Sequence, residues 1–291
     1  MKWKQITVIA VVLILCGYLY SKPVKGLIKP KVAKGTAGVV SGSRSSVANV
    51  TVEDVSTPAK TAIGAALAAR INDLEGQLKN ATGDADKLSL QKQLAQQWDD
   101  DNQPAPSAFY YQAIAQKENT FENWMNAGNH FNDAYKAATD TSVQPAFVEN
   151  AIGAYKNAVK LKPDNLDAKT GLGIAYVNQT SMGITDPNGG SPMQGISLLL
   201  DVVKQDPNNR SANLNLGLFA MKSGQFEKAV ARFKNMIAQK DELEPNFYLA
   251  ESYKQLGMKK EAVAAYQKCK TMVAEPVVRQ KIDLYIKELQ N

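Results

Sequence analysis

Apolar residues recur at helical spacing along most of the chain after residue 57. Thr57 followed by Pro58 predicts a helix start, because a hydroxyl can cap the helix and proline suits its first position. The pattern stops at residues 81–83, and a second helix is predicted from about Asp84. The apolar stripe of the first helix follows steps of four, three and four residues and consists of Leu67, Ile71, Leu74 and Leu78.

One helical pattern then occurs three times, and in part a fourth time, between Asn123 and Tyr266. The first helix of each copy carries Trp124, Ala127, Gly128 and Phe131; Leu172, Gly173 and Tyr176; Leu216, Gly217 and Ala220; or Leu249, Ala250 and Tyr253. In the second helix a small residue precedes a large one by four, as in Ala151 and Tyr155, Gly195 and Leu199, Ala229 and Phe233, and Ala262 and Tyr266. A helical pair this short cannot bury its own apolar face. The copies are therefore expected to stack into a solenoid with an extended surface.

A degenerate copy before these, with its turn at 99–106, brings the count to four and a half pairs. It consists of Leu94, Ala95, Trp98, Ala108, Tyr111 and Ala115. A helix from Pro276 through Leu289 is predicted to cap the stack, and Gly224 and Gly257 are predicted to form tight turns. Close helix approach is expected at Gly128, Gly173 and Gly217. The space between pairs is expected to be filled by Trp124, Phe131, Tyr155, Tyr176, Phe233, Tyr253 and Tyr266.

The spacing of the copies is uneven. Leu216 and Leu249 are 33 residues apart, whereas Ala127, Leu172 and Leu216 are separated by 45 and 44 residues. The extra residues are predicted between the two helices of a pair, around Lys136–Phe147 and Val177–Pro192. Such insertions emerge on one edge of a solenoid, either as tolerated surface loops or as a partner-specific lip.

The positive charge of the chain is confined to its first part. Of 34 basic and 28 acidic residues, residues 1–57 hold eight basic and two acidic ones, and the remainder is balanced. The pI near 9.0 therefore does not describe the folded part. Without a concentrated basic face, nucleic acid is not expected as a partner.

The amino-terminal segment Ile6–Tyr20 is apolar apart from Thr7 and Gly17, and lysines flank it on both sides. It is shorter than the ~20 apolar residues of a full spanning helix. Residues 1–21 are therefore either a retained single-pass anchor or a cleaved signal, and the lack of a convincing small-residue processing site favours the anchor. Leu15 stands where a lipoprotein signal would need a small residue before Cys16. Residues 22–57 are predicted to be a flexible basic linker and residues 58–291 the helical solenoid.

The expected location is the inner membrane, with a single span. Because lysines lie on both sides of the apolar run, the folded part could face either the periplasm or the cytoplasm.

Residues for catalysis or cofactor binding are sparse. His130 is the only histidine, which excludes histidine-paired metal sites and disfavours an imidazole-assisted nucleophile. It is expected to be a helix-surface or inter-helix residue, and Cys269 a core residue. No phosphate-binding glycine loop is present, and Gly171 with Gly173 lacks the third glycine of a dinucleotide turn. No enzyme activity, metal or cofactor is predicted.

The repeated pattern resembles the tetratricopeptide repeat family from Asn123 to Met272. The shared features are a Leu or aromatic residue, then Leu-Gly or Ala-Gly, then an aromatic residue three positions on. The resemblance implies an all-α, right-handed superhelix of helix–turn–helix units whose concave groove binds a peptide or helix of a partner protein. In this family the groove is lined mainly by the first helix of each pair. By that resemblance its residues here are Met125, Asn129, Asn132, Thr170, Ile174, Asn178, Leu214, Leu218, Met221, Lys222, Phe247, Glu251 and Lys254.

These positions mostly lack the lysines and arginines with which some members grip a chaperone tail. The expected function is therefore a membrane-tethered scaffold or adaptor for another protein segment. The alternative is a structural protein that self-associates as a homodimer through residues 63–78 and leaves its groove empty. Leu218, Met221 and Phe247 are expected either to anchor apolar side chains of a ligand or to pack against the neighbouring pair.

Overall fold

The computed structural model describes residues 49–183 and 192–290, and every regular element within these ranges is an α-helix. The helices are α1 Val52–Ile63, α2 Ala65–Asn80, α3 Asp84–Asp100, α4 Pro104–Glu118, α5 Phe121–Ala137, α6 Gln144–Leu161, α7 Leu166–Ser181, α8 Pro192–Gln205, α9 Arg210–Lys222, α10 Phe226–Gln239, α11 Leu243–Gln255, α12 Lys259–Met272 and α13 Pro276–Gln290. The predicted all-α architecture is confirmed for this part of the chain.

Helices α3 to α12 form five successive pairs, and each helix packs on the next along the chain. The degenerate copy predicted near Trp98 is the pair α3–α4, although its turn spans only residues 101–103. The apolar residues form a row of clusters between neighbouring pairs instead of one central core. This is the packing expected when each pair relies on its neighbours to bury its apolar face.

The first helix begins earlier than predicted. Thr51 caps α1, because its side chain accepts the N–H of Asp54 and the Asp54 carboxylate accepts the N–H of Thr51 at 2.8 Å. This reciprocal arrangement satisfies two N–H groups that a helix start otherwise leaves unpaired. The start predicted at Thr57 and Pro58 is therefore wrong, and both residues lie inside α1. Residues 52–57, assigned to the flexible linker, are helical, and the earlier part of that linker lies outside the described residues.

Gly64 separates α1 from α2 with a φ of +87°, a conformation that side-chain-bearing residues rarely adopt. The predicted stripe then lies on α2. Ile71 is fully buried and Leu74 and Leu78 are partly buried in a cluster with Trp98, while Leu67 is 39% exposed. The stripe thus packs mainly against the next helices. Ala65, Ala66, Leu67 and Ala69 stay exposed on α2, so self-association through residues 63–78 remains a prediction.

Glycines permit the predicted close approach within pairs. A Cβ added to Gly128 would lie 2.7 Å from the Tyr155 ring, and one added to Gly217 would lie 2.7 Å from the Phe233 ring. At Gly173 it would lie 2.9 Å from Leu199. The three predicted close approaches are therefore confirmed. The seven aromatic residues predicted to fill the space between pairs are all buried: Trp124, Phe131, Tyr155, Tyr176, Phe233, Tyr253 and Tyr266.

The turns and the cap also follow the prediction. Gly224 and Gly257 have φ values of +73° and +71° after α9 and α11. Helix α13 begins at Pro276, and its residues Val278, Ile282 and Leu289 are buried against the last pair.

The two insertions differ from expectation, because part of the extra sequence lengthens helices. Helices α5 and α6 have 17 and 18 residues, whereas α11 and α12 have 13 and 14. The connection between α5 and α6 is confined to residues 138–143. In the second insertion, residues 177–181 belong to α7, and residues 184–191 lie outside the described part of the chain.

Within the described ranges, no helix is long and apolar enough to cross a membrane. The predicted anchor Ile6–Tyr20 lies outside them.

Candidate functional site

The first helices of the pairs form one layer of the stack. Helices α5, α7, α9 and α11 each contact the next, whereas the second helices α6, α8, α10 and α12 lie farther from one another. A stack whose two layers differ in this way curves toward the closer layer. We call α5, α7, α9 and α11 the inner layer. It carries all thirteen residues that the family resemblance assigned to the groove.

The thirteen residues differ in accessibility. Asn129 and Lys222 are exposed. Seven others are partly exposed: Met125, Asn132, Asn178, Leu214, Leu218, Glu251 and Lys254. Four are buried: Thr170, Ile174, Met221 and Phe247. Only the first two groups present side chains that a ligand could contact without a rearrangement of the helices.

Phe247 and Met221 belong to the core of the last pairs. The Phe247 ring lies 6.1 Å from that of Tyr266 and 6.3 Å from that of Tyr285. Tyr285 comes from the cap helix α13, whose packing over α11 covers this end of the inner layer. Of the two expectations for these residues, packing against neighbouring helices is what the structure shows for Phe247 and Met221. The sequence could not show this, because it does not reveal where α13 lies. Ligand anchoring by either residue stays a prediction.

Three asparagines line up on α5 and α7, and we call Asn129, Asn132 and Asn178 the asparagine row. Asn129 Oδ1 accepts a hydrogen bond from the Tyr155 hydroxyl at 2.9 Å. Asn178 Nδ2 donates to Asn132 Oδ1 across the two helices at 3.4 Å, which is long for such a bond. The row therefore presents amide groups, each able to donate and to accept, along the accessible part of the inner layer.

Two carboxylates of α11 lie in a crowded environment. Burial raises the pKa of Glu251, and the Tyr266 hydroxyl that donates to it and the nearby Lys254 oppose that rise. Burial also raises the pKa of Glu244, which lies 3.5 Å from Arg210 of α9. Lys254 pairs with Glu288 of the cap helix at 3.0 Å. Most charges at this end of the inner layer are thus already compensated within the protein.

His130 joins three helices. Its Nε2 lies 2.7 Å from an Asp99 carboxylate oxygen of α3, and its Nδ1 lies 2.7 Å from the carbonyl oxygen of Asn126. The Tyr111 hydroxyl of α4 donates to the same carboxylate at 3.2 Å. His130 was expected to be a helix-surface or an inter-helix residue, and the structure shows that it is an inter-helix residue. Sequence analysis could not identify this cluster, because His130 lies 31 residues from Asp99 and no motif links them.

Other reactive groups are similarly enclosed. Cys269 is fully buried, and burial raises the pKa of its thiol to about 12. The expectation that it packs in the core is confirmed. Among the residues that the structure describes, no three His, Cys, Asp or Glu side chains are grouped so that they could hold a metal ion. The accessible candidate residues of the inner layer thus offer amides, a few apolar side chains, two lysines and the carboxylate of Glu251.

Comparison with known proteins connects this architecture to a repeat family. A sequence profile of the tetratricopeptide repeat matches residues 246–271, which cover most of α11 and α12. Among curated protein sequences, none matches the chain at a significant level.

Two solved structures of tetratricopeptide repeat proteins are similar to this chain. One, from Thermus thermophilus, is 20% identical and has a TM-score of 0.52, and the match covers 70% of this chain and 98% of that one. The other, from Parabacteroides merdae, is 15% identical with a TM-score of 0.54, and the match covers 82% and 88%. This chain therefore has the fold of a tetratricopeptide repeat protein, and its last pair, α11–α12, carries a recognisable tetratricopeptide repeat.

Proposed function

We propose that this chain is a membrane-tethered scaffold that binds an extended segment of a partner protein along the inner layer. The observation that carries the proposal is the asparagine row on α5 and α7. Solenoids commonly use the surface formed by their stacked repeats for binding. The tetratricopeptide repeat in the last pair supports a protein-interaction role for the chain as a whole.

Amide side chains suit an extended ligand better than a helical one. An extended segment leaves its main-chain N–H and C=O groups unpaired, whereas a helix pairs them internally. Within the described residues, Asn129 Nδ2 has no protein partner, and the Asn132–Asn178 contact at 3.4 Å is long enough to be exchanged for a ligand. A main chain lying over the row would therefore find both donors and acceptors.

The tether is proposed from the sequence. Ile6–Tyr20 would anchor the chain in the inner membrane of a bacterial envelope, and the basic residues that follow would separate the folded part from it. On this proposal a partner segment is bound near the membrane, on the periplasmic or the cytoplasmic side. The balanced charge after residue 57 supports a protein partner over nucleic acid.

The proposal predicts that the asparagine row is required for binding but not for folding. Tagged full-length chain would be crosslinked in its native membrane and purified, and the amount of co-purified partner would be measured. Asn129→Ala combined with Asn178→Ala should lose most of the partner, while far-UV circular dichroism stays unchanged. The matched control is Asn235→Ala, which removes an exposed asparagine from α10 outside the inner layer. Equal partner recovery from the double variant and the control would refute the proposal.

A further inference from the structure

The inner layer contains five basic side chains, and four of them are ion-paired within the protein. The pairs are Lys136 with Asp133 at 3.0 Å, Lys169 with Asp201 at 3.8 Å, Arg210 with Glu242 at 2.5 Å, and Lys254 with Glu288 at 3.0 Å. Lys222, the last residue of α9, is the fifth. No carboxylate among the described residues lies within 4.0 Å of its ammonium group.

Lys222 is exposed to solvent, but part of its side chain is covered by the protein. This burial lowers the pKa of its ammonium group. The partly exposed carboxylate of the inner layer on α11, Glu251, accepts from Tyr266 and lies close to Lys254, so it is engaged elsewhere. A partly desolvated cation gains most from an anion that can form a charge-assisted hydrogen bond. No described carboxylate pairs with Lys222, so a ligand is the source of such an anion that we consider.

Apolar surface lies next to this cation. Leu218 precedes Lys222 by one helical turn and Leu214 precedes it by two, and both are partly exposed while packing on the cluster around Phe233. One turn of an α-helix rises about 5.4 Å. Alternate side chains of an extended chain are about 6.6–6.8 Å apart. One extended segment can therefore place an apolar side chain on Leu218 and a charged one at Lys222.

We propose that the inner layer selects an acidic segment, in which a side-chain carboxylate pairs with Lys222 and an apolar side chain two positions away packs on Leu218. This inference rests on the proposed function and adds the chemical class of its ligand. A polyanion such as nucleic acid does not fit, because binding along a phosphate backbone relies on several unpaired cations. A single unpaired lysine beside leucines matches one carboxylate within a partly apolar peptide.

Three probe peptides test the inference directly. Each is an octapeptide of the pattern Leu-Ser-X-Ser-Leu-Ser-X-Ser, in which X is glutamate, glutamine or lysine, so that leucine and X lie on the same face of the extended chain. The peptides are acetylated and amidated so that no terminal charge contributes. Fluorescence anisotropy would measure their affinity for the full-length chain in mild detergent at low ionic strength. The glutamate peptide should bind about tenfold more tightly than the glutamine peptide, and added salt should reduce the difference. The lysine peptide should bind most weakly.

Substitutions then assign the preference to one residue. Lys222→Gln should bring the glutamate and glutamine peptides to within about twofold of each other. Lys222→Glu should favour the lysine peptide. The matched control is Lys260→Gln, which removes an exposed lysine at the start of α12, outside the inner layer, where no ion pair is formed within the described chain. This control should leave the preference for glutamate unchanged.

Two results would overturn the inference, and they differ in what they mean for the proposed function. If wild type binds the glutamate and glutamine peptides equally, or if Lys222→Gln keeps the preference, Lys222 does not select an acidic ligand. In that case a loss of glutamine-peptide binding on Asn178→Ala would leave the proposed function standing. If the peptides bind and neither the lysine nor the asparagine variants change their affinity, both proposals are wrong.

Discussion

Single residues determine how closely the helices of this stack approach, and Tyr155 is the most constrained of them. Its ring packs against the backbone of two glycines, Gly128 on α5 and Gly171 on α7, while its hydroxyl donates to Asn129. Tyr155 of α6 thus contacts both α5 and α7, and its hydroxyl orients Asn129 of the asparagine row. The sequence predicted the contact at Gly128 from the repeat pattern. It gave no indication of Gly171, because that contact crosses from one pair to the next.

Gly128→Ala is expected to destabilise the fold. The added methyl group would lie 2.7 Å from the Tyr155 ring, which is held on both sides, and overpacking of this kind costs about 1–3 kcal/mol. The control is Gly153→Ala on α6, where nothing lies within 4 Å of the added Cβ. That substitution should stabilise the protein by about 0.5–1 kcal/mol through helix propensity. Urea denaturation measures both, and a stabilising Gly128→Ala would show that Tyr155 is not tightly held.

Glu251→Gln tests the environment of the partly buried carboxylate on α11. Because burial raises the pKa of Glu251, the folded state binds its proton more tightly than the unfolded state does. Its contribution to stability is therefore present at pH values below about 4 and is lost as the pH rises through the folded-state pKa. The glutamine variant should be more stable than wild type at pH 7, with a difference that shrinks toward pH 4.

Thermal unfolding at several pH values measures this effect. Glu227→Gln, an exposed carboxylate on α10, provides the matched control and should leave stability nearly unchanged. A glutamine variant at 251 that is less stable at pH 7 would mean that the Tyr266 hydrogen bond and Lys254 outweigh the cost of burial.

At the scale of helices, periodicity predicted the existence of most elements, and local chemistry determined their ends. The repeat pattern located α5 to α13 because each helix buries an apolar stripe at a regular spacing. It misplaced the start of α1, since the Thr51–Asp54 capping box is as plausible in sequence as Thr57 and Pro58. It also read extra residues as loops where the structure extends α5 and α6. The length of a helix depends on how much surface the neighbouring helices offer for packing. The spacing of the repeats carries no information about that surface.

The repeat register makes a quantitative prediction for the helices. Leu216 and Leu249 occupy corresponding positions on α9 and α11 and are only 7% and 8% exposed. Changing either to alanine should cost about 2–5 kcal/mol, because a cavity replaces a buried side chain. Chemical denaturation monitored by circular dichroism gives the loss. A loss below about 0.5 kcal/mol at either position would be the value of a surface site and would contradict the register.

The whole molecule is a linear stack, so its binding residues are spread over several helices. Family resemblance placed all thirteen candidate residues on the inner layer. The repeat register can assign a residue to a helix layer, but it gives no information beyond that. It could not separate accessible from buried members, because Phe247 is covered by α13, and Ile174 by residues of α8 and α9. Lys222 and the asparagine row remain accessible. Lys222 differs from the other basic residues of the inner layer because it forms no ion pair within the described residues, and this is visible only in three dimensions.

The tether is a property of the whole chain and is tested separately. If Ile6–Tyr20 is a retained anchor, full-length protein should stay in the membrane fraction after an alkaline wash, because a spanning helix is held by apolar burial and not by charge. Immunoblotting of the two fractions measures this. Recovery of a soluble chain that begins near Ser21 would show that the segment is a cleaved signal.

Site-specific photocrosslinking tests the central claim, that a partner segment lies on the inner layer, most directly. A photoreactive residue would replace Asn132 on α5 in one sample and Asn235 on α10 in another, and both full-length chains would be irradiated in their native membranes. The account predicts a discrete crosslinked product from position 132, mapped by mass spectrometry to one short segment of a partner, and none from position 235. The same product from both positions, or from position 235 alone, would contradict it.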